Sequence, residues 1–365
     1  MNTKDFSLSI PSRQKIISDF KAKGGKIAAV FPIHYPRAIF RAFDILPVEV
    51  WGPPGVDTSP AATHLQVYAC SIVHCGLSYL MAGKLDVADL FVVPHACDSL
   101  QGLGSLLLDF VKPDKPVLTF YLARGDLIPA TDFVVDEIAQ LADKLAEITG
   151  KRPTDSELAK AIEREEEADQ QLAELFSVRR FLPVSDREFY QLVRAREYLP
   201  AELFFRLAKE MLDQKQDTAL PEIPRLITGI LPEPMDILDR INAAGGLLAA
   251  DDLCCSGRRV YPPGKSEQPY RRMAESLLLG PADSTRGSPI QARIDRLLEL
   301  ARSASVKGVI FYNVKFCEPE QFDWPQIKQG LASVGLRTVE IEADISEQLP
   351  HQAITRVEAF LETLS

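Results

Sequence analysis

Short apolar runs alternate with stretches of helical spacing in two separate blocks of this chain, and that alternation constrains the fold more than any other feature. In the first block the runs are KIAAVFP (26–32), LPVEVWG (46–52), ADLFVVP (88–94) and PVLTFYLA (116–123); in the second they are RLITGIL (225–231), GLLAADD (246–252), VKGVIFYNV (306–314) and LRTVEIEA (336–343). Runs of this length, rich in branched and aromatic residues and bounded by Gly and Pro, read as buried strands. Strands that alternate with helices pair in parallel and take helices on their faces. A first helix over Pro11–Lys23 stops at Gly24 and Gly25, and HYPRAIFRAFDI (His34–Ile45) reads as the next helix. HLQVYACSIVHCGLSYLMAG reads as largely helical, a further helix runs to about Phe110, and QAITRVEAFLETL closes the chain as a helix.

Between the blocks, from about Asp126 to Leu212, apolar residues recur every three to four positions among many charges, the pattern of surface helices. Thr154 with Glu157 has the spacing of a capping box, and EREEEADQQ is the solvated face of one of these helices. The expected fold is therefore α/β, with two flavodoxin-like parallel-sheet domains and a helical insertion between them. The boundaries expected are 1–125 for the first domain, 126–218 for the insertion and 219–365 for the second domain, after the linker DTALPEIP.

Several functional classes are disfavoured at once. At 365 residues the chain exceeds the usual reach of one core, which agrees with two domains. A formal charge of -10 speaks against nucleic acid or an anionic membrane as partner. No apolar run approaches the roughly 18–20 residues of a membrane span, and MNTKDFSLSIPSRQKIISDF lacks the apolar core of a signal peptide, so a cytoplasmic location is expected. Neither a G-x-x-x-x-G-K-[ST] loop nor a G-x-G-x-x-G turn after the first strand is present, so no site for ATP or a dinucleotide is expected; Gly102 and Gly104 in QGLGSLL lack the third glycine.

The chemistry resides in six cysteines, too few for a disulfide scaffold in a chain of this size and suited to thiols or metal ligands in a reducing compartment. Cys97 and Cys317 each closely follow an apolar run, where open α/β sheets place ligands, and Cys70 lies upstream; together they suggest one shared metal site, with buried packing as the plain alternative for each. Structural zinc is poorly supported, because the near pairs are Cys70 with Cys75 and the adjacent Cys254 and Cys255 rather than a C-x-x-C. Thiolates suit iron–sulfur clusters, and three of them would leave one iron of a cubane open. His34 and His95, at expected strand ends, are candidates to move a proton. Asp98 is expected to cap the helix that follows it, Asp251 and Asp252 to fix a loop, and Glu318 to accept a bond near Cys317 or to cap.

Three segments, YACSIVHCGLSYLMAGKLDVADLFVVPHACDSL, GGLLAADDLCCSGRRVYP and GVIFYNVKFCEPEQFDWPQIKQGLASVGL, closely resemble the D-component subunits of 2-hydroxyacyl-CoA dehydratases and the related subunits of ATP-dependent benzoyl-CoA reductases. The resemblance covers nearly the whole chain. It implies a [4Fe-4S] cluster in the interdomain cleft, with Cys70, Cys97 and Cys317 as ligands, and radical chemistry on an acyl-CoA thioester. It also implies two kinds of partner. A dimeric iron–sulfur activator hydrolyses ATP and injects one electron, and a homologous second subunit, in a heterodimer or homodimer, completes the active site. In the dehydratases the thioester radical anion expels the 2-hydroxyl; in the reductases it leads to ring reduction.

The chain departs from the family pattern at named positions. His74 stands four positions after Cys70, and Gln101 and Gly102 follow Cys97, where arginines are common; Arg37 and Ala38 follow Pro36 in place of acidic residues. These changes leave open whether this subunit binds substrate or relays the electron without catalysing. The remaining cysteines, Cys75, Cys254 and Cys255, raise the alternative of a double-cubane [8Fe-9S] cluster, although the further cysteine expected in LLLGPADSTRG is absent. Cys75 is expected to be packed on its helix and Cys255 to approach the cluster from outside its ligand set.

Overall fold

The computed structural model describes residues 8–125 and 127–364. Asp126, where the helical stretch is expected to begin, and the first seven residues of the amino-terminal segment lie outside them. In chain order the first block contains α1 (Arg13–Ala22), β1 (Lys26–Val30), α2 (Arg37–Ala42), β2 (Ile45–Glu49), α3 (Ser59–Ala62), α4 (Ser71–Met81), β3 (Leu90–His95), α5 (Asp98–Leu106) and β4 (Val117–Tyr121). The charged middle is helical: α6 (Leu127–Thr149), α7 (Asp155–Ser177), α8 (Asp186–Ala195) and α9 (Ala201–Leu212). The second block runs β5 (Ile223–Gly229), α10 (Asp236–Ala243), β6 (Gly246–Leu253), α11 (Pro269–Leu278), α12 (Ile290–Ser303), β7 (Gly308–Val314), α13 (Glu318–Ala332), β8 (Arg337–Ala343) and α14 (His351–Glu362).

The eight strands make two four-stranded sheets, β2-β1-β3-β4 and β6-β5-β7-β8, parallel throughout. Both sheets thus have the same order, with the first strand of each block between the second and the third. In such a sheet the connections leave the first strand in opposite directions, and a crevice opens beyond the carboxyl ends of the two central strands. That crevice lies past β1 and β3 in one sheet and past β5 and β7 in the other. Strand residues are buried on both faces, as in β5 (Pro224–Gly229) and β7, because helices cover both sides of a parallel sheet.

The middle helices are tied down by local signals and by burial. Thr154 and Glu157 form the expected capping box at the start of α7, and Ser185 with Glu188 forms another at α8. Helix α7 packs on α2 and α9, and α6 on α11, so the helical stretch is wedged against elements of both blocks. Among the described residues no helix is long and apolar enough to cross a membrane.

Local differences from the sequence reading have local causes. The helix expected over His34–Ile45 is only α2, because Ile33 and His34 take left-handed backbone (φ 77° and 50°) and Pro36 serves as the N-cap. Chain from Ile45 then already belongs to β2. Helix α5 continues into a π-helical turn, Leu107–Val111, and ends at Lys112 in left-handed conformation.

Candidate metal centre

Cys97, Cys317 and Cys70 share one position in the chain's elements: each is the N-cap of a helix, of α5, α13 and α4 respectively. Cys97 comes two residues after the end of β3, and Cys317 three residues after the end of β7, so equivalent strands of the two sheets deliver them to the crevice. Helix α4 joins them because the backbone N–H of Ser71 donates to Lys315 O (3.3 Å) in the turn before Cys317, and Ile345 N–H donates to Ser71 Oγ (3.4 Å). An N-cap side chain faces the unpaired N–H groups of the first turn and the positive end of the helix dipole. Such a position favours a thiolate.

The electrostatics place the three sulfurs in one neighbourhood. Burial raises the Cys70 thiol, opposed by the N–H groups of Val73 and Ile72 and the Ser99 hydroxyl. Burial pushes Cys97 up to about 12, and Cys70 adds to the rise. Burial also raises Cys317 well above the ordinary thiol value, and Cys70, Glu320 and Cys97 all push in the same direction. Burial and mutual proximity thus oppose ionisation of all three thiols, and a cationic group bound among them would reverse that. Among the described residues only His34, Cys254 and Asp283 bring one ligand atom each within 4.8 Å of one another.

The second group, His34 with Cys254 and Asp283, is itself a buried set that could hold a metal ion. His34 Nδ1 lies 3.0 Å from the Tyr261 hydroxyl and Nε2 lies 2.9 Å from Thr285 Oγ1 and 3.8 Å from Asp283 Oδ1. Asp283 also lies 3.5 Å from Arg258. His95 is the last residue of β3; its ring meets Tyr121 edge-on at 4.2 Å between centroids, and neither ring nitrogen has a hydrogen-bond partner among the described residues. It sits against Gly104, where a Cβ would come within 2.7 Å of Nε2. The two histidines therefore end neighbouring strand segments but have no bonding partner in common among the described residues.

Cys75 is fully buried on α4 against Gly52, as expected of a packed residue. The main charged influences on Cys254 are Asp283, Arg258, Glu320 and Cys255, and those on Cys255 are Arg194, Glu197 and Asp251. Asp98 does not cap α5, since Cys97 holds that position and Asp98 is the first helical residue. Asp251 does fix its loop, accepting from Leu253 N–H (2.9 Å), Gly257 N–H (2.8 Å) and the Ser256 and Tyr190 hydroxyls. Asp252 instead pairs with Arg258 (3.0 Å) and Arg296 (2.7 Å). Glu318 lies in the first turn of α13.

Around the crevice runs a web of buried charge that no sequence motif marks. Glu49, fully buried at the end of β2, accepts from the Tyr35 hydroxyl (2.8 Å), Arg37 (2.9 Å), Trp51 Nε1 (2.9 Å) and Arg259. Arg37 continues to Glu165 on α7 (3.3 Å), which also pairs with Arg196 (2.6 Å). On the other side Glu320, three residues after Cys317, accepts from Arg258 and Arg293. Burial would raise these carboxyls, but Arg259 and Arg37 hold Glu49 down to about 2, and Arg258 and Arg293 hold Glu320 there too.

Comparison with known proteins gives a consistent result. The family model described as "2-hydroxyglutaryl-CoA dehydratase, D-component" matches residues 32–364. The chain is 26% identical to the (R)-phenyllactyl-CoA dehydratase beta subunit of Clostridium sporogenes, over 99% of this chain and 98% of that one. It is 25% identical to the beta subunit of lactoyl-CoA dehydratase of Anaerotignum propionicum, over 96% and 95%. Identity to a benzoyl-CoA reductase subunit of Thauera aromatica is 24%, over 83% of this chain and 81% of that one.

Proposed function

The chain belongs to the 2-hydroxyglutaryl-CoA dehydratase D-component family, and on that footing we propose that it is the iron–sulfur subunit of a 2-hydroxyacyl-CoA dehydratase. Cys70, Cys97 and Cys317 would hold a [4Fe-4S] cluster between two flavodoxin-like domains, 1–125 and 219–365, separated by the helical insertion 126–218. The observation that carries this reading is the triad itself: three thiols at three helix N-termini, with Cys70 acting on both Cys97 and Cys317 and Cys97 acting on Cys317. The chemistry such a cluster supplies when bound is one-electron transfer at low potential.

The chain's own residues do the rest. The N–H groups of the first turns of α4, α5 and α13 favour thiolates, and Ser99 adds a hydroxyl at Cys70. Arg124 fastens the turn before Cys97 to the facing unit by donating to Ala96 O (3.2 Å) and Thr285 O (3.3 Å). His95, two residues before Cys97 and with both ring nitrogens unpartnered among the described residues, and His34 are the groups proposed to exchange protons. An acyl-CoA thioester is the proposed substrate, and an ATP-hydrolysing iron–sulfur activator and a homologous second subunit are the proposed partners; the similarity to proteins named as beta subunits supports the pairing.

Two alternatives are less well supported. A benzoyl-CoA-reductase-type subunit is disfavoured by the shorter match to that relative, 83% of the chain against 96–99% for the dehydratase subunits. A double-cubane cluster would draw on Cys254 and Cys255, on which charged side chains such as Asp283, Arg258, Arg194 and Glu197 are the main electrostatic influences. The test is anaerobic reconstitution with the activator, ATP, a homologous second subunit and a panel of 2-hydroxyacyl-CoA esters. Dehydration of at least one ester is expected; no turnover in any pairing refutes a catalytic role.

A further inference from the structure

His34, Cys254 and Asp283 reach the crevice from three separate places in the chain. His34 stands four residues past β1, Cys254 is the residue after β6, and Asp283 lies in the loop between α11 and α12, so the first block supplies one member and the second block two. All three are buried, at 2%, 0% and 0% exposure, and one ligand atom from each lies within 4.8 Å of the other two. His34 Nε2 is 3.8 Å from Asp283 Oδ1. Donor atoms sit about 2.0–2.3 Å from a zinc ion, and so roughly 3.3–3.6 Å from one another in a tetrahedron, which brings this set within about an ångström of closing on an ion. The donors are an imidazole nitrogen, a thiol sulfur and a carboxylate oxygen. Zinc is bound by that combination, whereas calcium and magnesium take oxygen ligands.

Each member is held in place by its own surroundings. Ile33 and His34 both take left-handed backbone, a conformation that is costly for a β-branched residue such as Ile33 and is kept only where the neighbouring structure demands it. Cys254 N–H donates to Gly229 O (3.0 Å), which prolongs the pairing of β5 and β6 by one residue. The loop of Asp283 is closed by its own N–H on Ser288 Oγ (3.0 Å) and by Ser288 N–H on its carbonyl (3.1 Å). Thr285 N–H (2.7 Å) and Arg258 (3.5 Å) orient the carboxylate. Tyr261 Oη lies 3.0 Å from His34 Nδ1, so the ring nitrogen left over when Nε2 faces an ion has a partner, as metal-bound imidazoles almost always do. Thr285 Oγ1, 2.9 Å from Nε2 and 2.5 Å from Asp283 Oδ1, stands beside both donors and offers an oxygen for a fourth position.

We propose that His34, Cys254 and Asp283 bind one zinc ion, separate from the cluster of Cys70, Cys97 and Cys317, and that this ion clips the two blocks together across the crevice. Binding releases the Cys254 thiol proton to solvent and leaves a thiolate, a carboxylate and a neutral imidazole on the ion. Zinc has a single redox state, so the site neither takes nor passes the cluster's electron. Its effect on the cluster is positional. Thr285 O accepts from Arg124, which also holds Ala96 beside Cys97, and Ser284 Oγ donates to Glu320 in the turn after Cys317. The proton that His34 can still exchange is the one on Nδ1, towards Tyr261. No C-x-x-C announces this site because its donors are spread over three loops that only the fold collects. The inference is independent of the dehydratase reading.

Metal analysis of the cluster-bearing protein, purified without oxygen from cultures supplied with zinc sulfate, reads the site directly. One zinc per chain beside the iron is expected in the wild type and in Cys255→Ala, and about a tenfold loss of zinc or more, with the iron unchanged, in Cys254→Ala. A wild type without zinc, or equal zinc in Cys254→Ala and Cys255→Ala, overturns the proposal. Zinc that is kept in Cys254→Ala and lost in Cys97→Ser overturns it too, because that ion would sit in the thiol triad. Should Cys254→Ala fail to fold, X-ray absorption at the zinc edge of the wild type decides: one sulfur neighbour among nitrogen and oxygen donors is expected, and no sulfur, or more than one, overturns the site. Neither readout uses turnover, so failure of every ester and pairing to react refutes the catalytic role and leaves the zinc site to its own test.

Discussion

Replacing Glu49 by Gln perturbs the point where the first sheet, the helical stretch and the second block are joined by charge. The carboxylate is fully buried and takes four donors: the Tyr35 hydroxyl and Arg37 on Oε1, Trp51 and Arg259 on Oε2. An amide of the same shape keeps one acceptor oxygen and turns an NH2 towards two of those donors. Arg37 retains Glu165 at 3.3 Å, but Arg259 has no other carboxylate partner among the described residues and becomes an unpaired buried cation. Breaking one side of a buried ion pair costs about 3–5 kcal/mol. For a chain of this length that corresponds to a fall in Tm of roughly 4–7 °C. Calorimetry or far-ultraviolet circular dichroism on anaerobic protein measures it, with Glu157→Gln at the exposed capping box of α7 as control, expected to cost only about 1 kcal/mol. Equal losses in the two variants would refute the argument that the Glu49 web joins the units.

The same web predicts the response to acid. Glu49, Glu165 and Glu320 are all held down to about 2 by arginines against the opposing effect of burial, so their stabilisation is complete above the unfolded value of about 4.3 and is lost as pH falls from there towards 2. Denaturant midpoints should be flat between pH 7 and 5 and drop steeply below about 4.5; a midpoint that rises on acidification contradicts the pairing. Gly52 has φ +83° and a Cβ there would lie 2.3 Å from Cys75 Cβ, whereas Gly55, at φ +76°, faces open space. Gly52→Ala should therefore push on α4, lower stability by about 1–3 kcal/mol and reduce iron retention at Cys70, while Gly55→Ala should leave iron content unchanged. Matching iron contents in the two variants would count against the packing of Gly52 on Cys75.

The strands were legible because their signal is local: runs such as VKGVIFYNV between turn residues leave few other choices, and the charged periodicity of 154–177 leaves none but a helix. The alignment of Cys97 and Cys317 was legible for a related reason, since a residue just past a parallel strand falls in the crevice wherever the sheet lies. Other features were invisible because they depend on partners far along the chain. Glu49 in LPVEVWG reads as the outward residue of a strand, yet it is buried by Arg259, 210 positions away. Asp283, Thr285 and Tyr261 lie in loops whose Asp, Ser and Thr suit turns, and only the left-handed backbone at His34, which sequence periodicity cannot report, brings the imidazole to them. The cap of α5 falls on Cys97, still in extended backbone, because the helix already includes Asp98.

Iron and acid-labile sulfide per chain, with an EPR spectrum of the reduced protein, test the central claim most directly when measured on wild type, Cys317→Ser and Cys75→Ser purified without oxygen. Cys317 comes from the second block and Cys75 from the same helix as Cys70, so the pair separates ligation from packing. About four irons in the wild type, most of them lost in Cys317→Ser and kept in Cys75→Ser, is the predicted result. Iron retained in Cys317→Ser, or a colourless wild-type chain carrying zinc, would contradict it.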